Sequence, residues 1–126
     1  MPVGNESELG RMVRLCRELG LPEVVESTSY GAPSLKVKAK NFASVRGPQE
    51  MVLHCPLEQK DLLMEMAPEI YWQTDHFKNW PGLLVRLEVI GDEELKLRLD
   101  DAWRFRAPKR LAEAYAAMKG MPAGDN

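Results

Sequence analysis

Cysteine is scarce in this chain. Cys16 and Cys55 are the two in 126 residues, and they stand far apart without Cys-x-x-Cys spacing. Neither a disulfide framework nor a zinc cluster is expected, and both read as reduced thiols in or near the core. Histidine is as rare, with His54 and His76. Adjacent strand residues point to opposite faces, so His54 and Cys55 do not share an ion, and adding Asp75 and His76 makes no set at ligand spacing. No metal is expected. The nine glycines are scattered singly, with no Gly-x-Gly-x-x-Gly and no Walker-type run; a phosphate-cradling loop, and with it a nucleotide cofactor, is excluded from the reading. No window approaches the ~18 apolar residues of a membrane span, and the opening MPVGNESELG has no cationic stretch followed by an apolar run. A soluble, cytoplasmic protein without a leader is the expectation. A strongly basic balance is also missing: net charge is −2 and the pI about 5.7. Any hold on nucleic acid must therefore come from a local patch.

What is present is an ordinary globular composition, 44% hydrophobic and 29% charged. A chain of this length buries roughly two-thirds of its unfolded surface, enough for one domain over residues 1–119 with a frayed tail at 120–126. Asn5 with Glu8 three residues on makes a capping-box pattern, and Leu9, Met12, Val13, Cys16 and Leu19 recur at helical spacing until Gly20 and Pro22. From Glu23 to Cys55 the period changes. Val24–Ser29, Ser34–Ala39, Phe42–Arg46 and Met51–Cys55 read as strands of an antiparallel meander, with turns at Tyr30–Pro33, Lys40–Asn41 and Gly47–Glu50. A middle helix follows Pro56, with Leu62, Leu63 and Met66 as its apolar side. Ile70–Gln73 reads as a short strand, and Leu83–Ile90 alternates well enough to lie inside the sheet. After Gly91-Asp92 a third helix carries Leu95, Leu99, Ala102 and Trp103 on one face, and Pro108 forces a kink or restart before Leu111, Ala114, Tyr115 and Met118. The fold class is α+β: an antiparallel sheet of about five or six strands with an N-terminal helix, a middle helix and a C-terminal helix pair.

Two stretches are candidates for function. The first is the hairpin around 36–46. Lys36, Lys38, Lys40 and Arg46 form a basic face, and Asn41 and Phe42 at the presumed tip offer a hydrogen bond and a stacking surface for DNA or RNA. Lysines on an edge strand also deter sheet-to-sheet aggregation, which is the plainer account of them. Four phosphate contacts would give a log–log salt slope of about −3.6 on duplex DNA. The second is the loop of residues 71–82, where Tyr71, Asp75, His76, Phe77 and Trp80, with Tyr30 beside them, have the aromatic density of a protein interface or a small-ligand pocket. An enzyme is not expected: Asp75 and His76 are adjacent, so their side chains diverge, and no activated nucleophile accompanies them. Arg104 and Arg106 are expected to pair with Asp100 and Asp101, and Arg86 with a neighbour of Glu88 or one of those two acids.

Several of these segments, in this order and spacing, resemble the MmcQ/YjbR-like family. They are Leu21-Pro22, Ser29-Tyr30-Gly31-Ala32-Pro33 leading into Lys36-Val37, Thr74-Asp75-His76-Phe77, Pro81-Gly82-Leu83-Leu84-Val85-Arg86-Leu87, Ala102-Trp103-Arg104 and Ala107-Pro108-Lys109-Arg110-Leu111. The resemblance runs from about residue 9 to 115. It implies an α+β domain with helices on one side of an antiparallel sheet, in a double-wing arrangement often labelled DNA-binding. That label follows from fold comparison, and the family supplies no catalytic residues. Cys55-Pro56 stands where an acidic cap commonly opens the second helix, and Ala32 and Ser34 replace bulkier or hydroxylated residues around the Gly-Pro turn.

Overall fold

The computed structural model describes residues 6–120. In chain order the elements are α1 (Glu8–Leu19), β1 (Val24–Ser29), β2 (Ala32–Val37), β3 (Lys40–Val45), β4 (Glu50–His54), α2 (Leu57–Met66), β5 (Tyr71–Trp72), a 3-10 turn at Asp75–Phe77, β6 (Gly82–Arg86), α3 (Asp92–Arg106) and α4 (Lys109–Met118). The six strands form one antiparallel sheet in the order β1-β2-β3-β4-β6-β5. The architecture is the α+β arrangement expected, and β6 lies inside the sheet as its alternation implied.

The sheet's two faces follow from the register. Leu35 pairs with Ala43, Ala43 with Leu53, Leu53 with Leu83, and Met51 and Tyr71 both with Val85. Cross-strand partners share a face, and all seven of these side chains are sealed from solvent. They meet Met12, Leu15 and Cys16 of α1, Leu63 of α2 and Leu95, Leu99, Ala102 and Trp103 of α3 in one core. Trp103 is its largest member: fully buried, it donates from Nε1 to the Pro22 carbonyl at 3.0 Å, and its ring lies edge-on to Tyr115 at 5.0 Å. Both cysteines are buried free thiols, and burial raises Cys16 to about 12 and Cys55 to about 11.

Several local expectations are corrected. Ser7, not Asn5, caps α1, its Oγ accepting from the Gly10 N–H at 2.9 Å; Asn5 itself lies outside the described residues, as do 121–126 of the expected frayed tail. The β2–β3 hairpin turns at Lys38 and Ala39, whose φ of 50° and 69° make the two-residue turn that matches strand twist. Asn41 and Phe42 are therefore inside β3, and an irregularity between Leu35 and Lys36 sets their register. On α2, Leu63 and Lys60 face inward, while Leu62 and Met66 are exposed. β6 stops at Arg86, four residues short of the expected end. The reason is Arg11, whose Nη1 and Nη2 donate to the carbonyls of Leu87 and Ile90 at 2.6 and 2.7 Å while Nε binds Asp92 at 2.8 Å. Those carbonyls serve α1 instead of a strand partner. Pro108 separates α3 from α4, so the chain restarts there.

Candidate ligand groove

Helices cover only one face of the sheet. On the other, the register aligns Ser27, Ser34 and Ser44 across β1 to β3, with Val52 opposite Ser44 and Leu84 opposite Val52, and sets Lys36 beside Asn41 and His54 beside Gly82. A groove of about 710 Å³ runs over this face. Its floor is Asn41, Ser44, Val52 and His54 from β3 and β4. One wall is Tyr30 with Ser29 and Ala32 from the β1–β2 hairpin, and the facing wall is His76, Phe77 and Trp80. Val45 and Arg46 close its β3 end. Both candidate stretches thus contribute to a single site: Asn41 and Arg46 from the basic hairpin, Tyr30, His76, Phe77 and Trp80 from the aromatic set.

The aromatic wall is held from below. Phe77 and Trp80 meet edge-on at 5.2 Å, and Trp80 packs edge-on against His54 at 4.9 Å. The indole lies against the bare Cα of Gly82, where an added Cβ would fall 2.0 Å from a ring carbon. Lys60, only 2% exposed, sends its Nζ up from α2 to the carbonyls of Phe77 and Trp80 at 2.7 and 2.8 Å. Burial holds this ammonium below its ordinary lysine range. Across the groove Tyr30 is fully exposed, and its φ of 52° is unusual for an aromatic residue.

The floor is polar and incompletely satisfied. His54 is 7% exposed and its Nδ1 has no partner among the described residues; the same holds for Ser34 Oγ and Asn41 Oδ1 on this face. Burial, with the positive charge of Arg106 as a second cause, pulls the imidazole down to about 4. It is neutral at physiological pH. Arg106 reaches over from α3 to the Asn41 carbonyl at 2.8 Å, and so does not form the expected pair with a neighbouring acid; Arg104 does bind Asp100 at 3.0 Å.

The remaining sequence candidates fall elsewhere. Phe42 is wholly buried in the core and offers no stacking surface. Tyr71 points to the helix-covered side, where its hydroxyl donates to Glu94 at 2.6 Å. Asp75 starts the 3-10 turn without lining the groove. Lys36 lies on the open face beside Asn41, Lys38 is 3.7 Å from Glu23, and Lys40 is exposed at the start of β3. None of the three lines the groove. Nor is Lys36 on a sheet edge, since β1 covers β2. Arg86 stacks over Trp72 at 4.9 Å and donates to the Pro68 carbonyl, with no acid involved. The groove residues that the sequence does not single out are Ser29, Ala32, Ser44, Val45, Val52 and His54. The signal for His54 is its place one step out of phase with Leu53 and Cys55, which turns it away from the core.

The YjbR family model matches residues 19–105, more than two-thirds of the chain. This chain belongs to the YjbR family. Its groove residues from Ser29 to Trp80 all lie within the matched span. A YjbR-type neighbour, Deinococcus radiodurans protein DR2400 with the family-model domain DUF419, superposes with a TM-score of 0.69, covering 94% of this chain and 91% of that one at 19% identity. At that identity the likeness speaks for the fold alone. Among curated relatives, the uncharacterized protein Mb2600 of Mycobacterium bovis and the uncharacterized protein Rv2570 of Mycobacterium tuberculosis are each 38% identical over 61 residues, 48% of this chain. The match spans about half of those relatives' length, 47%. Among the described residues of this YjbR domain no helix is long and apolar enough to cross a membrane, and no group of three or more His, Cys, Asp or Glu is placed to hold a metal.

Proposed function

We propose that this YjbR domain is a binding module without chemistry of its own, and that its site is the groove on the helix-free face, which accepts a small planar ring. The observation that carries this reading is the groove itself: space of ligand size, three aromatic side chains on opposite walls, and a floor of buried polar atoms short of partners. Binding pockets are typically of this volume, mostly apolar or aromatic, with a few convergent polar groups. A buried donor or acceptor left unmade costs about 1–3 kcal/mol, and a ligand edge that satisfies it recovers that cost. Catalysis fits less well. His54 has no hydrogen bond to Ser44, and an imidazole titrating near 4 is a weak base at neutral pH.

The test is an NMR titration of the 15N-labelled protein with indole, quinoline, adenosine and guanosine. Saturable shifts clustered at residues 41–46, 52–54 and 76–80, weakened about tenfold or more by Trp80→Ala, support the reading. If no ring compound at millimolar concentration moves those amides, the proposal is wrong.

A second reading rests on Lys36, which shares the open face with Asn41. Single-stranded DNA or RNA laid along this face would put a base in the groove and phosphates on Lys36 and Arg46. Fluorescence anisotropy with labelled single strands at low salt checks it. Binding that survives Lys36→Glu with Arg46→Glu would remove this second reading.

A further inference from the structure

We infer that the groove's occupant is an aromatic carboxylate: a planar ring held between the Tyr30 and Trp80 walls, with its carboxylate on the guanidinium of Arg46. This deepens the ring-binding reading above and rests on it. The inference comes from the distribution of charge. The whole chain is slightly acidic at −2, yet none of the groove's lining residues is an aspartate or glutamate. The register sorts the rest of this face: Lys36 beside Asn41, Arg86 opposite Glu50, and Arg46 joined to Glu50 through the backbone. The strands therefore present Lys36, Arg46 and Arg86 here against a single carboxylate.

That carboxylate is already engaged. Glu50 Oε1 accepts from Arg46 Nη1 at 2.9 Å, and its Oε2 accepts from Trp72 Nε1 at 2.9 Å. A guanidinium carries five N–H donors in a planar fork suited to bidentate carboxylates. One bond to Glu50 leaves donors of Arg46 for a second anion, and the side chain is 45% exposed at the groove's end. At the opposite end of the floor Arg106 adds a positive charge behind Asn41 and His54. An amine at the Arg46 end would meet that guanidinium and no free acid. A neutral ring would leave the fork's remaining donors to water.

Matched probes sharing one ring test this: indole-3-acetate, indole-3-acetamide and tryptamine, titrated into the protein by calorimetry with the NMR shifts as site reporter. The acid is expected to bind about tenfold tighter than the amide, the effect of about 1.4 kcal/mol, and tryptamine more weakly than either. Arg46→Gln is expected to bring the acid down to the amide's affinity while leaving the amide unchanged, and Arg46→Lys, which keeps the charge without the fork, to fall between them. Acid and amide binding equally at the groove would overturn the inference and leave the ring-binding reading standing. If none of the three shifts the groove amides, the ring-binding reading fails and the inference with it. An Arg46→Gln loss shared equally by acid and amide would mean that Arg46 shapes the groove through Glu50 and Trp72, which also overturns the inference.

Discussion

The two faces of this sheet are completed in different ways. The helix-covered face is apolar through the middle of the sheet and closed by side chains from α1, α2 and α3. The other is covered only at its β6 end, by the loop that carries Phe77 and Trp80, and it keeps serines, an asparagine and a histidine in the floor. Three of the buried side-chain polar atoms that lack partners among the described residues, on Ser34, Asn41 and His54, lie on this second face. Burial on the first face stabilises the fold. On the second it leaves hydrogen-bonding capacity without partners among the described residues.

This contrast fails or holds in graded experiments. The largest effect is expected on the covered face: Trp103→Ala removes the biggest core side chain and its bond to Pro22, and should cost about 3–5 kcal/mol in urea unfolding. A loss under about 1 kcal/mol would mean the core is not where the stability lies. Next is the pH response of His54. An unfolded histidine titrates near 6.5 and the folded one near 4, so between these values the unfolded chain binds more protons. Stability is then fully present above about pH 6.5 and is lost as pH falls toward 4, by about 3 kcal/mol at most. His54→Gln should flatten that slope; an unchanged slope would place the acid sensitivity elsewhere.

Lys60→Met should be milder. It leaves the Phe77 and Trp80 carbonyls without their donor, a cost of about 1–3 kcal/mol. Amide exchange should accelerate at residues 77–82 while α3 stays protected, and uniform acceleration would argue that loop and core open together. The smallest effect is expected at Lys38→Glu, whose partner Glu23 is itself exposed: within about 0.5 kcal/mol. A larger change would mean that the hairpin tip is more tightly coupled to the fold than its exposure implies.

Much of the covered face was legible in the sequence, because a strand's period of two and a helix's of 3.6 depend only on neighbours in the chain. The strands, the inward placement of β6 and the break at Pro108 follow from that. What was not legible depends on contacts between distant residues. Arg11 ends β6 from 76 residues away. The two-residue turn at Lys38 and Ala39 moves Asn41 and Phe42 off the tip, and no local pattern told Phe42 to turn into the core. Both halves of the groove were visible, as a basic hairpin and as an aromatic loop, but as rival sites. Only the pairing of β4 with β6 sets His54 beside Gly82 and puts them under one roof. Tyr71 went the other way for the same reason, since its register with Val85 assigns it to the core.

Tyr30 and Gly31 both have positive φ, 52° and 81°, in the tight turn between β1 and β2. That is the backbone for which Asn-Gly is the favoured pair, and a tyrosine there costs of order 1 kcal/mol. Its ring is fully exposed, so the strain is not offset by burial. Heat tolerance and the proposed ligand capture therefore pull on this residue in opposite directions. A campaign that selected variants of this domain for thermostability alone would be drawn to Tyr30→Asn early, and each such gain would dismantle one wall of the groove.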